Sequence, residues 1–204
     1  MKAQNKAFSI TTETEGLISI VMPAYKCERY ISKAIESVIS QTYTNWELIV
    51  VNDDSPDNSA AIAQEYAEKD GRIRIVHQTP NAGCAQSRNL GIDEAKGEYI
   101  AFQDSDDEWY PNKLEIQLEK LIATNSDIVA CSFYKCEGKK NQQWPPSEVT
   151  GHYLERILKG NYVTTQAILA KKECFQEEEF DEKPKKSFFR KEKAVENDYD
   201  DDYE

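Results

Sequence analysis

The chain has 204 residues, 39% hydrophobic and 30% charged, which suits one globular domain with a real core and an appended tail. Its net charge of −12 argues against a nucleic-acid binder, because a phosphate backbone would be repelled. Five scattered cysteines, an odd number without zinc-site spacing, read as free thiols of a reducing cytosol, and no apolar run approaches membrane-spanning length.

Residues 1–16 form a polar arm without the apolar core of a signal peptide. Residues 17–22 read as a first buried strand, stopped by Pro23, and 27–41 place Tyr30, Ile31, Ala34, Ile35 and Val38 on one face of a helix. A second apolar strand, 46–51, runs into Asn52-Asp53-Asp54-Ser55-Pro56-Asp57, where Asp57 or Asn58 caps a helix ending near Lys69. A third strand at 72–76 leads into a helix rich in small residues from about Asn81, with Gly97 as its stop. Residues 100–102 form a fourth strand, ending at Asp104, Asp106 and Asp107, and Pro111 opens a helix to about Asn125. Then come a fifth strand at 127–134, a polar loop at 138–146, a short helix at 151–160 and a last strand at 163–170. The alternation of strand and helix predicts an α/β fold, a mostly parallel sheet flanked by helices. Residues 176–204 carry 12 acidic and 6 basic residues, half of the net charge, and read as disordered or as a truncated piece of something larger.

Two strands therefore end in carboxylates. In an open parallel sheet both ends face one edge, where ligands bind at the topological switch point. Packed like charges call for a cation or donors, and a divalent metal holding a phosphorylated ligand is the economical answer. The other cluster can accept hydrogen bonds from a nucleobase or ribose, and Arg88 can offer its guanidinium to phosphates. An acidic turn and an ordinary ion-pair arginine are the plain alternatives. No Gly-x-Gly-x-x-Gly follows the first strand, no P-loop occurs, and His77 and His152 belong to no zinc signature or hydrolase triad. The densest carboxylates follow the fourth strand, unlike the early-strand aspartate of receiver or phosphatase domains. Pro23-Ala24-Tyr25-Lys26 is not the Gly-rich loop of a nucleotidyltransferase.

Several motifs occur in an order that resembles glycosyltransferase family 2. Val21-Met22-Pro23-Ala24-Tyr25 is similar to its opening strand. Asn52-Asp53-Asp54-Ser55-Pro56-Asp57 stands where Asp-Asp-Gly-Ser-x-Asp is usual. Asn81-x-Gly83, Ser87-Arg88-Asn89-x-Gly91 and Asp104-Ser105-Asp106, resembling the DxD motif, come after it. The resemblance implies a GT-A, Rossmann-like fold over 17–175 and inverting transfer from a nucleotide-sugar, UDP-linked, to a glycan or lipid-linked acceptor in surface polysaccharide synthesis. It implies that Asp53 contacts the base, Asp104 the ribose side and Asp106 the Mn²⁺ or Mg²⁺. Pro23, Ala24, Tyr25, Asn52, Arg88 and Ser105 join the nucleotide-sugar pocket. Glu196-Asn197-Asp198-Tyr199-Asp200 resembles the segment holding the catalytic base and nominates Asp198. The expected location is cytoplasmic, or the cytoplasmic face of the membrane, and peripheral membrane attachment or a partner subunit stays open. The competing reading is a catalytically incomplete nucleotide-sugar-binding fragment without its acceptor region.

Overall fold

The computed structural model describes residues 16–137, 140–144, 164–175 and 180. Asp198, the predicted helix at 151–160 and the polar arm apart from Gly16 lie outside them, as does the charged tail apart from Phe180.

Four strand–helix units come first: β1 (Ile18–Ala24) and α1 (Ile31–Ile39), β2 (Trp46–Asp53) and α2 (Ser59–Lys69), β3 (Ile73–Gln78) and α3 (Gly83–Glu94), β4 (Tyr99–Phe102) and α4 (Lys113–Thr124). The strands carry side chains to both faces with period two, and helices cover both faces, so β1, β2 and β4 read as continuous apolar runs. On one face Ile18, Ile20, Met22, Leu48, Val50 and Ala101 pack with Ile31, Ile35 and Val38 of α1, Ala63 of α2 and Leu114, Leu118 and Leu121 of α4. On the other, Val21, Ile49, Val51, Ile100 and Phe102 pack with Ile92 of α3 and with Phe175 and Phe180.

After α4 come β5 (Ile128–Ala130), a hairpin of β6 (Phe133–Glu137) and β7 (Lys140–Trp144), and β8 (Ile168–Lys171). The main sheet runs β3-β2-β1-β4-β8-β5. β1 pairs in parallel with β2 and β4, and β2 with β3. β8 lies antiparallel between β4 and β5. The predicted strand at 127–134 is thus two strands in two sheets. The break falls at Cys131, whose N–H donates to the Ala167 carbonyl at 2.9 Å. Part of the predicted polar loop is instead β7, paired with β6 from Phe133↔Trp144 to Glu137↔Lys140. The last strand begins at Ile168, because 165–167 wind into a 3-10 turn.

Two glycines seat the helix layer against β1. A Cβ on Gly91 would lie 2.2 Å from Val21 Cγ1, and one on Gly97 would lie 2.5 Å from the Leu17 carbonyl oxygen and 2.7 Å from the Ser19 nitrogen. Close approach of the α3 segment to the central strand requires both to lack a side chain.

Candidate active site

The loops following β1, β2, β3 and β4 meet at the carboxyl edge of the sheet. Between them is a cavity of about 400 Å³. Pro23, Ala24 and Tyr25 line it from the end of β1, Asp53 from β2, Cys84, Ser87 and Arg88 from α3, and Asp104, Ser105 and Asp106 from beyond β4. The register explains the convergence, since β1 lies between β2 and β4, with Ala24 beside Asn52 and Val21 beside Phe102.

Asp53 is 3% exposed. Its Oδ1 accepts from Gln78 Nε2 (2.9 Å) and the Ala82 N–H (2.8 Å), and its Oδ2 from Asn81 Nδ2 (2.9 Å) and the Gly83 N–H (2.9 Å). Asn81 Nδ2 also reaches the Asp53 carbonyl at 2.8 Å. A carboxylate offers about four lone-pair sites, so this one is fully engaged and ties the end of β2 to the start of α3. A contact to a nucleobase would share or displace one of these donors. Gln78 and Asn81 were left out of the site by sequence reasoning, as were the cavity-lining Tyr30, Cys84 and Ser87. Asn81 carried a signal as the first residue of Asn81-x-Gly83, whereas the two backbone donors carried none.

Asn52 does not line the cavity. It is buried on the opposite side of β2 from Asp53, its Nδ2 lies 3.3 Å from His77 Nδ1, and its Oδ1 accepts weakly from the Ser55 N–H at 3.4 Å. The following Asp54 has φ +53°, the left-handed conformation that glycine usually supplies and aspartate tolerates better than most residues. That geometry accounts for a glycine being usual at this point in the motif, and for aspartate serving in its place. Asp57 fastens the same loop. Its carboxylate accepts from the Ser55 and Ser59 hydroxyls and from the Ser59 and Glu28 N–H groups. Burial alone would raise its pKa, but these bonds outweigh burial and hold it far below the usual carboxylate range.

Arg88 Nη2 donates to Asp104 Oδ1 at 2.8 Å, with side chains 16% and 31% exposed. Its Nε is buried without a partner among the described residues. Asp106 is exposed, and among the described residues no donor bonds its carboxylate. The pKa of Asp107 is raised, first by burial and then by the charges of Asp106 and Asp104. The Cys84 thiol is likewise pushed up by burial, with Arg88 opposing. From α3, Asn89 holds residue 180 at two points: its Nδ2 donates to the Phe180 carbonyl (3.1 Å) and its Oδ1 accepts the Phe180 N–H (2.9 Å).

The sequence matches the family model Glycosyl transferase family 2 over residues 19–191. The chain belongs to this family. It is 41% identical over 130 residues to the uncharacterized glycosyltransferase EpsJ of Bacillus subtilis (strain 168), covering 64% of this chain and 38% of EpsJ. It is 45% identical over 109 residues to the UDP-Glc:alpha-D-GlcNAc-diphosphoundecaprenol beta-1,3-glucosyltransferase WfgD of Escherichia coli, covering 53% of this chain and 42% of WfgD. Among solved structures, residues 1–349 of S. aureus TarS in complex with UDP-GlcNAc align with a TM-score of 0.66 at 24% identity, over 76% of this chain and 45% of that one. That is a likeness of fold, and it makes the mixed six-stranded sheet GT-A-like. The glycosyl transferase family 2 chain spans about two fifths of the length of EpsJ and of WfgD. All five cysteines are free thiols, and among the described residues no helix is long and apolar enough to cross a membrane.

Proposed function

We propose that this chain transfers a glycosyl group with inversion, in a metal-dependent reaction, from a UDP-sugar to a glycan or lipid-linked acceptor in surface polysaccharide synthesis. The observation that carries the reading is the convergence of Asp53 from β2 and Asp104 and Asp106 from beyond β4 on one cavity beside Arg88. A cavity of about 400 Å³ at the switch edge of the sheet suits a nucleotide-sized ligand. UDP is favoured because WfgD, 45% identical where it matches, is named for a transfer from UDP-Glc.

Among the described residues no group of three or more His, Cys, Asp and Glu side chains gathers into a metal cage. Asp104 and Asp106 nevertheless supply hard oxygen donors, and Asp106 has no competing hydrogen bond among the described residues. That set fits Mn²⁺ or Mg²⁺ arriving with a diphosphate, since Mg²⁺ in particular takes one or two carboxylates, substrate phosphates and water. When bound, the ion neutralises charge on the departing diphosphate. Asp106 holds it. Arg88, anchored on Asp104, adds a fixed positive charge beside the phosphates. Pro23, Ala24 and Tyr25 form the wall against which the nucleoside lies. Asp198 is the proposed base that deprotonates the acceptor hydroxyl, on the likeness of Glu196-Asn197-Asp198-Tyr199-Asp200 to the family's segment.

Thermal unfolding of the full chain with UDP, GDP and dTDP, each with and without Mn²⁺, tests the donor side. Protection is expected from UDP and to depend on the ion. Release of UDP from UDP-sugars, lost in Asp198→Ala, tests the transfer. Equal indifference to all three nucleotides would reject the proposal, and UDP protection without turnover would leave donor binding alone.

A further inference from the structure

A second and larger cavity, about 900 Å³, adjoins the first and shares Asp106 with it. Its walls come from the 106–112 loop, the first turn of α4, residues 131–136, and Gln166 with Ala167. Two features mark it out. One is an aromatic side: Tyr110 and Tyr134 are both largely exposed, and their rings meet edge to face with centroids 6.2 Å apart. Such rings present apolar faces with a polar tip, which suits the C–H faces and hydroxyls of a sugar.

The other is Lys113. Its Nζ lies 4.0 Å from the centre of the Trp109 ring and donates to Gln117 Oε1 at 2.7 Å. Gln117 is buried, and its own amide is committed to the Ala167 carbonyl at 2.9 Å, so it can offer Lys113 only a neutral oxygen. Among the described residues no carboxylate pairs with Lys113. Burial pushes the pKa of its ammonium down to about 8, with only the neighbouring Cys131 opposing. A half-buried ammonium without a carboxylate beside it favours an anion placed there. Lys113 also opens α4, so the positive end of the helix lies at the same wall and favours negative charge there.

The cavity's acids lie elsewhere along the wall. Asp106, Asp107 and Glu108 sit on the loop beside the donor cavity, and Asp106 is assigned to the metal. The cavity thus carries three carboxylates on the loop that it shares through Asp106 with the donor side, and two ammonium groups, Lys113 at the start of α4 and the exposed Lys135 of β6. We propose that it takes an acceptor sugar bearing an anionic substituent, phosphoryl or carboxylate, with Lys113 as the counter-ion and Tyr110 and Tyr134 against the sugar ring. This rests on the proposed donor site, because the shared Asp106 is what sets the acceptor beside the donor.

Calorimetry on the full chain separates the two readings. UDP with Mn²⁺ is titrated first, and failure to bind rejects the donor assignment. With UDP and Mn²⁺ saturating, so that the first cavity is filled, glucose, glucose 1-phosphate and glucuronic acid are then titrated in turn. At least one anionic sugar is expected to bind tenfold or more tightly than glucose, and the two arms tell a phosphoryl from a carboxylate ligand. Lys113→Met should bring that sugar to within twofold of glucose with UDP affinity unchanged, and Lys113→Arg should keep the preference. Equal binding of all three sugars by the parent, or a preference that survives Lys113→Met, overturns the proposal. If Lys113→Met does not fold, the parent and Lys113→Arg titrations decide it.

Discussion

Replacing Asp53 by asparagine removes one charge and almost no volume, so its cost comes from the four hydrogen bonds that the carboxylate holds. That carboxylate accepts two side-chain amides and two backbone N–H groups, one of each on either oxygen. Gln78 and Asn81 can turn their carbonyls toward the new NH₂. The N–H of Ala82 or of Gly83 cannot turn, so one buried donor loses its acceptor, at about 1–3 kcal/mol. The bonds that remain fall from charge-assisted to neutral, each worth roughly 1 kcal/mol less. A total of about 4–6 kcal/mol lowers the melting temperature of a chain this size by about 8–24 °C. Melting followed by circular dichroism without ligand reads this directly. An Asp53→Asn variant melting within about 2 °C of the parent would refute the view that this carboxylate is the anchor of α3.

Asp106→Ala should melt within about 2 °C of the parent, because an exposed side chain without a bond among the described residues contributes within about 0.5 kcal/mol, yet it should lose Mn²⁺-dependent protection by UDP. Gly97→Ala forces a methyl between backbone atoms of Leu17 and Ser19 that cannot retreat, so a loss at or above the upper end of about 1–3 kcal/mol is expected by urea unfolding. Gly71→Ala, where a Cβ would meet nothing within 4 Å, should be close to neutral in the same assay. Asp57 has a depressed folded pKa, so its contribution is fully present above the unfolded value of about 4 and is lost as pH falls through the folded one. The gap in melting temperature between the parent and Asp57→Asn should hold steady from neutral to weakly acidic pH and narrow below about pH 4.

The first half of the fold was legible because strands buried on both faces read as apolar runs; β2 ends at Asp53 and β4 just short of Asp104, whereas β1 does not stop at Pro23 but runs through it to Ala24, still paired with β2. The carboxylates of the site were legible for the same reason. The second half was legible only in part: the strands expected at 127–134 and 163–170 overlap β5, β6 and β8, but with other bounds. β5 and β8 are three and four residues long, too short for a period to declare itself, and β7 is Lys-Asn-Gln-Gln-Trp, a composition that reads as loop. That β8 runs antiparallel between β4 and β5 comes from packing and leaves no mark on its own residues. Within the site, what the sequence did not show is that the guanidinium of Arg88 is held by Asp104, sixteen positions on. Asn52 was read as a pocket residue because it stands at the first aspartate of the family's motif, but alternation along a strand sends it and Asp53 to opposite faces.

The insertion of β8 bears on how the chain assembles as it is made. Ile128 has no strand partner in the sheet until Ala170 exists, and β4 keeps a bare edge on that side until the same four residues arrive. The βα units from β1 to β4 can form from neighbouring sequence as they emerge, but the far third of the sheet must wait. During that interval the unpaired edge of β4, a run of Tyr-Ile-Ala-Phe, is a template for pairing with another chain. Chains stopped short of Lys171 should therefore be found in aggregates, while those that include β8 close the sheet upon themselves.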